Sequence, residues 1–214
     1  STGGFSIHSG NFAYYHSRLI EMIAVVFMFL GGVNFSLHYL AITKTNLKVY
    51  WQDVEFRTFF FVVLLSAIVI IGILFFYQHE HNVGGDVVSS LFTVTSFITT
   101  TGFVANHFAS WPLFVPFLLM VLGLLGACGG STSGGFKVVR AVVLKQHFFR
   151  EMNRLIHPQG VYSLKYGNRL LPNSISDAVW AFSTAYLFVI MMSVALVMAT
   201  GVGFESAFGC VSES

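Results

Sequence analysis

The chain has 214 residues, with 11 Lys and Arg and 9 Asp and Glu, so that 9% carry a formal charge. Soluble domains carry about 25%. With 55% hydrophobic residues, 24 Phe and a mean hydropathy of +0.75, too little polar material is left to clothe a water-facing surface. A soluble enzyme, a nucleic-acid binder and a secreted disulfide scaffold are excluded. The class is a polytopic membrane protein, with lipid as its first partner.

In chain order, uncharged windows mark the crossings. Twenty-two uncharged residues separate Glu21 from Lys44, 22 separate Arg57 from Glu80, 50 separate Asp86 from Lys137, and 27 separate Asp177 from Glu205. About 20 apolar residues cross a bilayer as a helix, so each window holds at least one crossing. The chain opens Ser1-Thr2-Gly3-Gly4, with no initiator Met and no basic-then-apolar leader, and the expectation is a piece of a longer polypeptide. Ten of the eleven basic residues fall in 40–57 and 137–177, while 78–86 and 201–206 carry only acids. The positive-inside rule places 40–57 and 137–177 in the cytoplasm. Arg18 is the exception, and Glu21, one turn on, is its expected partner.

Between those two inner segments the chain goes out and returns. Residues 58–77 make the outward helix. Residues 86–98 form an apolar helix of about 20 Å, too short to span. Thr99-Thr100-Thr101-Gly102-Phe103 follows, a β-branched run ending in Gly that disfavours helix. A second apolar stretch starts near Trp111-Pro112 and runs inward. The pattern predicts a helix, a re-entrant loop and a helix, with the irregular backbone buried in protein or facing water.

A gapless shift of 98 residues lays STGGF (1–5) on TTTGF (99–103) and Gly31-Gly32 on Gly129-Gly130, with six identities in 32 positions. All but Met22, which matches Met120, fall on the two non-helical features. A further outward helix at 178–200 and a short apolar segment at 203–213 read as the start of another unit. The chain therefore holds the back of one unit, all of a second and the front of a third.

Two features carry chemistry. An extended run of small residues at the end of a half-helix aims successive carbonyls into a pore, where they replace a cation's hydration shell. The negative end of the preceding helix favours a cation, and no Lys or Arg lies between 87 and 136. The competing reading of Thr99–Phe103 is a polar turn at the membrane surface. The second feature is Gly126, followed by Gly129, Gly130, Ser131, Thr132, Ser133, Gly134 and Gly135, which interrupts the inward helix midway. Each interior Gly costs about 1 kcal/mol of helix preference. Such a loop below a filter would act as a gate; the alternative is close packing of small residues. Gly31-Gly32-Val33-Asn34 is milder and reads as packing. Lys137 and Arg140 read as ordinary cytoplasmic anchors. Phe at 58–62 and 75–76 reads as lipid-facing or core packing. Cys128 and Cys210 and the eight scattered His suggest neither a metal site nor a disulfide, so no cofactor is expected.

The strings ITTTGF (98–103), GACGGSTSGGFKVVR (126–140) and IHPQGVYSLKYGNRLLP (156–172) resemble the TrkH family of bacterial potassium transporters, in the superfamily that includes the KtrB and HKT proteins. The resemblance runs the whole length of the chain. It implies an all-α membrane protein of repeated helix–pore-loop–helix units, as in potassium channels, with a broken inner helix, in the bacterial inner membrane. Residues 1–39 would be the filter segment and inner helix of unit 2, with a cytoplasmic linker at 40–57. Residues 58–150 would be a complete unit 3, followed by a linker at 151–177 and the outer and pore helices of unit 4 at 178–214. Thr2, Gly3, Gly4 and Phe5 would form the second filter segment, Thr100, Thr101, Gly102 and Phe103 the third, and 126–135 the gating intramembrane loop. The resemblance also implies potassium as the transported ion, a homodimer, and a cytosolic ring of TrkA-type nucleotide-binding regulatory subunits meeting 40–57 and 137–177. The competing class, a secondary transporter for another cation or small solute with broken helices at the midplane, would need a charge in the core and inverted repeats. The repeat here is parallel and 87–136 is uncharged. A membrane-embedded enzyme would need clusters of acids, bases or metal ligands in the apolar segments, and none is present.

Overall fold

The uncharged run after Arg57 winds into one long helix, α4, Val54–Tyr77. Asp53 caps it, its Oδ1 accepting from the Phe56 N–H at 2.8 Å. This is a computed structural model that describes residues 3–7, 11–15, 17–77, 83–105, 111–157, 160, 162–167 and 169–213. Before α4 come a short 3-10 turn at Asn11–Tyr15, then α1 (Arg18–Gly32), α2 (Phe35–Lys44) and α3 (Lys48–Gln52). After it come α5 (Val83–Ile98), α6 (Phe114–Leu125), α7 (Val138–Ile156), a two-residue antiparallel ladder of β1 (Lys165–Tyr166) and β2 (Arg169–Leu170), α8 (Asn173–Met198) and α9 (Phe204–Glu213).

Among the described residues α4 and α8 are each long and apolar enough to cross a membrane, with mean hydropathies of 3.1 and 2.1. α1 and α2 pass that test only as a pair, bent by 95° at the break after Gly32. The helix called for at 86–98 is α5, and it lies between α1, α4 and α6. Phe92, Val94 and Ile98 on it are fully buried. Its hydroxyl side chains are buried too, and its threonines, with Thr99 just beyond it, bond back to the carbonyl one turn earlier, whereas the buried Ser90 Oγ meets no hydrogen-bond partner among the described residues. Thr93 donates to the Ser89 carbonyl at 2.8 Å, Thr95 to Leu91 at 2.7 Å and Thr99 to Thr95 at 2.6 Å. These back-bonds lower the cost of burying three hydroxyls in an apolar surround.

The main core joins Phe59, Ile70 and Leu74 of α4, Val94 and Ile98 of α5, Val115 and Leu119 of α6, and Ala127 and Cys128 beyond it. The Phe run divides as the helix turns: Phe59 is buried, whereas Phe61, Phe75 and Phe76 face outward. α6 ends at Gly126, whose φ of 69° stops the helix. α7 resumes at Val138, burying Val138 and Val143 against α4 and α8 with Arg150, Glu151 and Arg154 along its other side. Arg18 and Glu21 do not close the expected pair; the salt bridges among the described residues all lie on α7, at Glu151. The architecture is an all-α membrane fold in which α4, α5, the segment after Ile98 and α6 form a helix–pore-loop–helix unit, and the stretch Gly126–Lys137 breaks the inner helix.

Gly31-Gly32 is both packing and a true break. A Cβ on Gly32 would lie 2.8 Å from Thr99 Cγ2, 2.9 Å from the Phe59 ring and 3.3 Å from Ala127 Cβ. Gly32→Val in the full-length protein is expected to cost about 1–3 kcal/mol by overpacking, read as a lower thermal midpoint in detergent. The same change at Gly72, where a Cβ meets nothing within 4 Å, is the matched control.

Candidate functional site

α5 unwinds through three successive backbone bonds: Thr99 N to Thr95 O, Thr100 N to Phe97 O and Thr101 N to Ser96 O. Thr100 and Gly102 then take positive φ values of 50° and 75°. A β-branched residue in that region is an uncommon, strained state that its surroundings must hold. Here the Thr100 hydroxyl accepts from the Gly134 N–H at 2.7 Å and lies 3.4 Å from Ser133 Oγ. The Thr99 and Thr101 hydroxyls bond to each other at 2.8 Å, inside the protein. Ser96 Oγ donates to the Phe103 carbonyl at 2.8 Å and anchors the far end of the segment.

The two matched segments, 98 residues apart in sequence, meet in space. The Gly4 N–H donates to the Thr101 carbonyl at 2.6 Å. Gly4 has a φ of 61°, and a Cβ there would stand 2.5 Å from the Gly102 carbonyl oxygen; a Cβ on Gly102 would stand 3.2 Å from Gly4 N and Cα. Each glycine is therefore required twice over, by its backbone conformation and by the other's approach. Beside them lies a cavity of about 160 Å³ lined by Gly3, Gly4, Ser96, Phe97, Thr100, Gly102, Gly123 and Ser212. No charged side chain is among these. The N-terminal segment, the end of α5 with the turn after it, α6 and α9 thus meet at one small space. Phe103 packs on Phe12 with ring centres 4.7 Å apart, while its counterpart Phe5 is exposed. Thr2 lies outside the described residues.

The glycine-rich stretch forms a closed loop with a narrow neck. Gly126 and Gly135, at φ values of 69° and 76°, stand back to back, with a Cβ on Gly135 falling 3.1 Å from Gly126 Cα. Phe136 N to Leu124 O at 2.9 Å, Lys137 N to Leu125 O at 2.8 Å and Val138 N to Ala127 O at 3.0 Å zip the neck. Within the loop, Ser131 Oγ caps the Cys128 carbonyl at 2.6 Å, and Ser133 Oγ accepts from Ala127 N at 3.0 Å. One side of the loop rests on the end of the re-entrant segment through Gly134 and Thr100. The other side docks in the α1–α2 break: Cys128 N to Gly32 O at 3.1 Å, Thr132 N to Gly31 O at 3.3 Å and Phe35 N to Gly130 O at 3.0 Å. Asn34 fills the space a Gly130 side chain would need, and its Oδ1 caps α2 at Ser36 N, 2.9 Å.

Two further side chains hold the loop: Glu55, which sequence reasoning did not single out, and Lys137, which it read only as an anchor. Glu55, in the first turn of α4, accepts from the Gly129 N–H with Oε1 and is buried. Lys137, at a φ of 79°, folds its Nζ back onto the Ser133 carbonyl. It is part of the loop and not only an anchor. Arg140 does the anchoring, donating to the Phe136 carbonyl at 2.9 Å and lying over the Phe182 ring, 3.9 Å from its centre. Glu55→Ala leaves the Gly129 N–H without its acceptor and is expected to cost about 1–3 kcal/mol. Glu55→Gln keeps an oxygen acceptor and should recover most of the lost thermal midpoint.

Cys128 and Cys210 form no disulfide, and no group of three or more His, Cys, Asp or Glu side chains that would hold a metal ion occurs among the described residues. The TrkH family model, described as cation transport protein, matches residues 1–211. The chain is 42% identical over 213 residues to the Trk system potassium uptake protein TrkH of Salmonella typhimurium, covering 98% of this chain and 43% of that protein. It is 41% identical over 209 residues to TrkH of Escherichia coli K12, again covering 98% and 43%. The crystal structure of the potassium transporter TrkH from Vibrio parahaemolyticus superposes with a TM-score of 0.93 at 39% identity, over 99% of this chain and 46% of that one. The chain spans a little under half the length of these relatives. A broken inner helix, a re-entrant segment and a match across nearly the whole sequence all lead to one assignment: this chain belongs to the TrkH family of cation transport proteins.

Proposed function

We propose that this chain supplies two filter segments and the gating loop of a protein that takes up potassium across the bacterial inner membrane. Residues 3–5, with Thr2 before them, and Thr99–Phe103 are two of the filter segments. Gly126 and Gly129–Gly135 form the gate, and no catalytic step is involved. Residues 1–39, 58–150 and 178–214 belong to three successive pore units, with 40–57 and 151–177 as cytoplasmic linkers. The functional protein is a homodimer that carries a cytosolic ring of TrkA-type nucleotide-binding subunits. The ion reading rests on the names of the relatives. The single observation that supports it here is the uncharged cavity at the meeting of Gly4, Thr100 and Gly102, with the loop bonded to Thr100 at its edge.

The reading is tested by rubidium uptake into proteoliposomes holding the full-length protein, with potassium or sodium as competitor. Block by potassium and not by sodium is expected. Equal block by both would reject potassium selectivity, and no uptake from folded protein would reject the pore.

A further inference from the structure

At the start of α4 lies a second and larger cavity, of about 630 Å³, walled by the first turns of α4, one side of α7 and the segment running into β1. Its size is that of a site for a small-molecule ligand. Its charged lining is Lys145 and Arg150 from α7 and Lys165 from β1, and no carboxylate lines it. Arg150 is already engaged, donating from Nε to Glu151 Oε1 at 3.1 Å and from Nη1 to Asn173 Oδ1 at 3.0 Å. Among the described residues every salt bridge goes to Glu151, which leaves Lys145 and Lys165 with no carboxylate partner. Tyr162 and Ser163 add hydroxyls, and Phe149 adds an apolar wall.

Depth narrows the ligand. Val54 and Thr58, at the first turns of the membrane-crossing helix, form part of the wall. The cavity therefore sits where the hydrocarbon region ends and the headgroup layer begins, on the side that carries ten of the eleven basic residues. Basic pockets between membrane helices on the cytoplasmic side suit anionic headgroups. The lining matches such a headgroup in kind: two ammonium groups for the phosphodiester charge, the Tyr162 and Ser163 hydroxyls for glycerol hydroxyls, and Phe149 for the first methylenes.

We propose that this cavity binds a phosphate group, presented by the headgroup of an anionic phospholipid of the cytoplasmic leaflet. The inference rests on the membrane placement proposed above and not on the ion carried, so its test reads lipid binding and not flux.

The full-length protein is purified in detergent, and retained lipid is counted by native mass spectrometry. Phosphatidylglycerol and phosphatidylcholine of the same acyl chains are titrated separately. Each basic group near an anionic partner is worth roughly a factor of five, so two of them give an expected preference for phosphatidylglycerol of about 25-fold. Lys145→Gln with Lys165→Gln should abolish it; both side chains are exposed, so an unchanged thermal midpoint is expected of that variant. Lys44→Gln with Lys48→Gln, on the same side but away from the cavity, should leave the preference intact. Equal retention of the two lipids, or an equal loss in both double variants, overturns the site. Displacement of phosphatidylglycerol by millimolar inorganic phosphate keeps the phosphate site and overturns the lipid as its source.

Discussion

Excision of Gly129–Gly135 from the full-length protein is expected to raise rubidium flux by about tenfold or more, because a minor open state is commonly populated at 0.1–10%. The neck makes this deletion geometrically mild. Leu124 bonds Phe136 and Ala127 bonds Val138 across it, so the chain enters and leaves the loop side by side. What the excision removes is the set of bonds from the loop outward: Gly129 to Glu55, Gly130 to Phe35, Thr132 to Gly31 and Gly134 to Thr100. The deletion tests gating against packing. A packing role predicts a lower thermal midpoint with flux unchanged or reduced; a gating role predicts higher flux from protein that still unfolds cooperatively. Lys137→Ala, which frees the Ser133 carbonyl while keeping the loop, should shift flux in the same direction by a smaller factor.

Gly102→Ser is expected to lower the preference for potassium over sodium by about tenfold, which corresponds to 1.4 kcal/mol of differential stabilisation. Two costs converge on this residue. Its φ of 75° disfavours any side chain by about 1–2 kcal/mol. Its Cβ would also press on Gly4 N and Cα at 3.2 Å, pushing apart the two segments that the Gly4 to Thr101 bond draws together. The cavity edge would widen and a hydroxyl would enter it. Competition by potassium and sodium against rubidium uptake is the measurement. An unchanged ratio of the two blocking concentrations would remove Thr99–Phe103 from the ion path. Gly4→Ser, where a Cβ would stand 2.5 Å from the Gly102 oxygen, should act in the same direction and more severely.

Much of the fold was legible because lipid imposes simple rules. The apolar run of α4, the shortness of α5 and the glycine interruption at 126–135 are each visible as length, charge or propensity. The 98-residue repeat was legible as well, and its two halves touch at Gly4 and Gly102. Three things were not. The break at Gly31-Gly32 read as packing because two glycines in an apolar run are common in membrane helices; at its 95° bend the freed Gly31 carbonyl meets Thr132 of the loop, 101 residues away. Glu55 drew no reading within 40–57, since its partner is a backbone N–H 74 residues on and no spacing rule connects a carboxylate to a peptide group. Lys137 satisfied the positive-inside rule, which hid its return to Ser133. Tertiary hydrogen bonds to main chain leave no trace in composition or period.

The sequence separation of the loop's contacts bears on how the molecule is made. Thr132 reaches back 101 residues to Gly31, and Gly129 reaches back 74 to Glu55. A ribosome delivers the α1–α2 break and the start of α4 well before the loop exists, so the receiving surface is complete when its occupant arrives. Contacts this distant form late, after the chain-closure entropy has been met by helices already packed. The docked loop is thus the last stitch between the α1–α2 break and the helices α4 to α6. A chain in which the loop fails to reach the α1–α2 break leaves the outward bonds of Gly129, Gly130, Thr132 and Gly134 unmade and the loop open to quality-control proteases, so these contacts also report that the two parts of the chain have assembled.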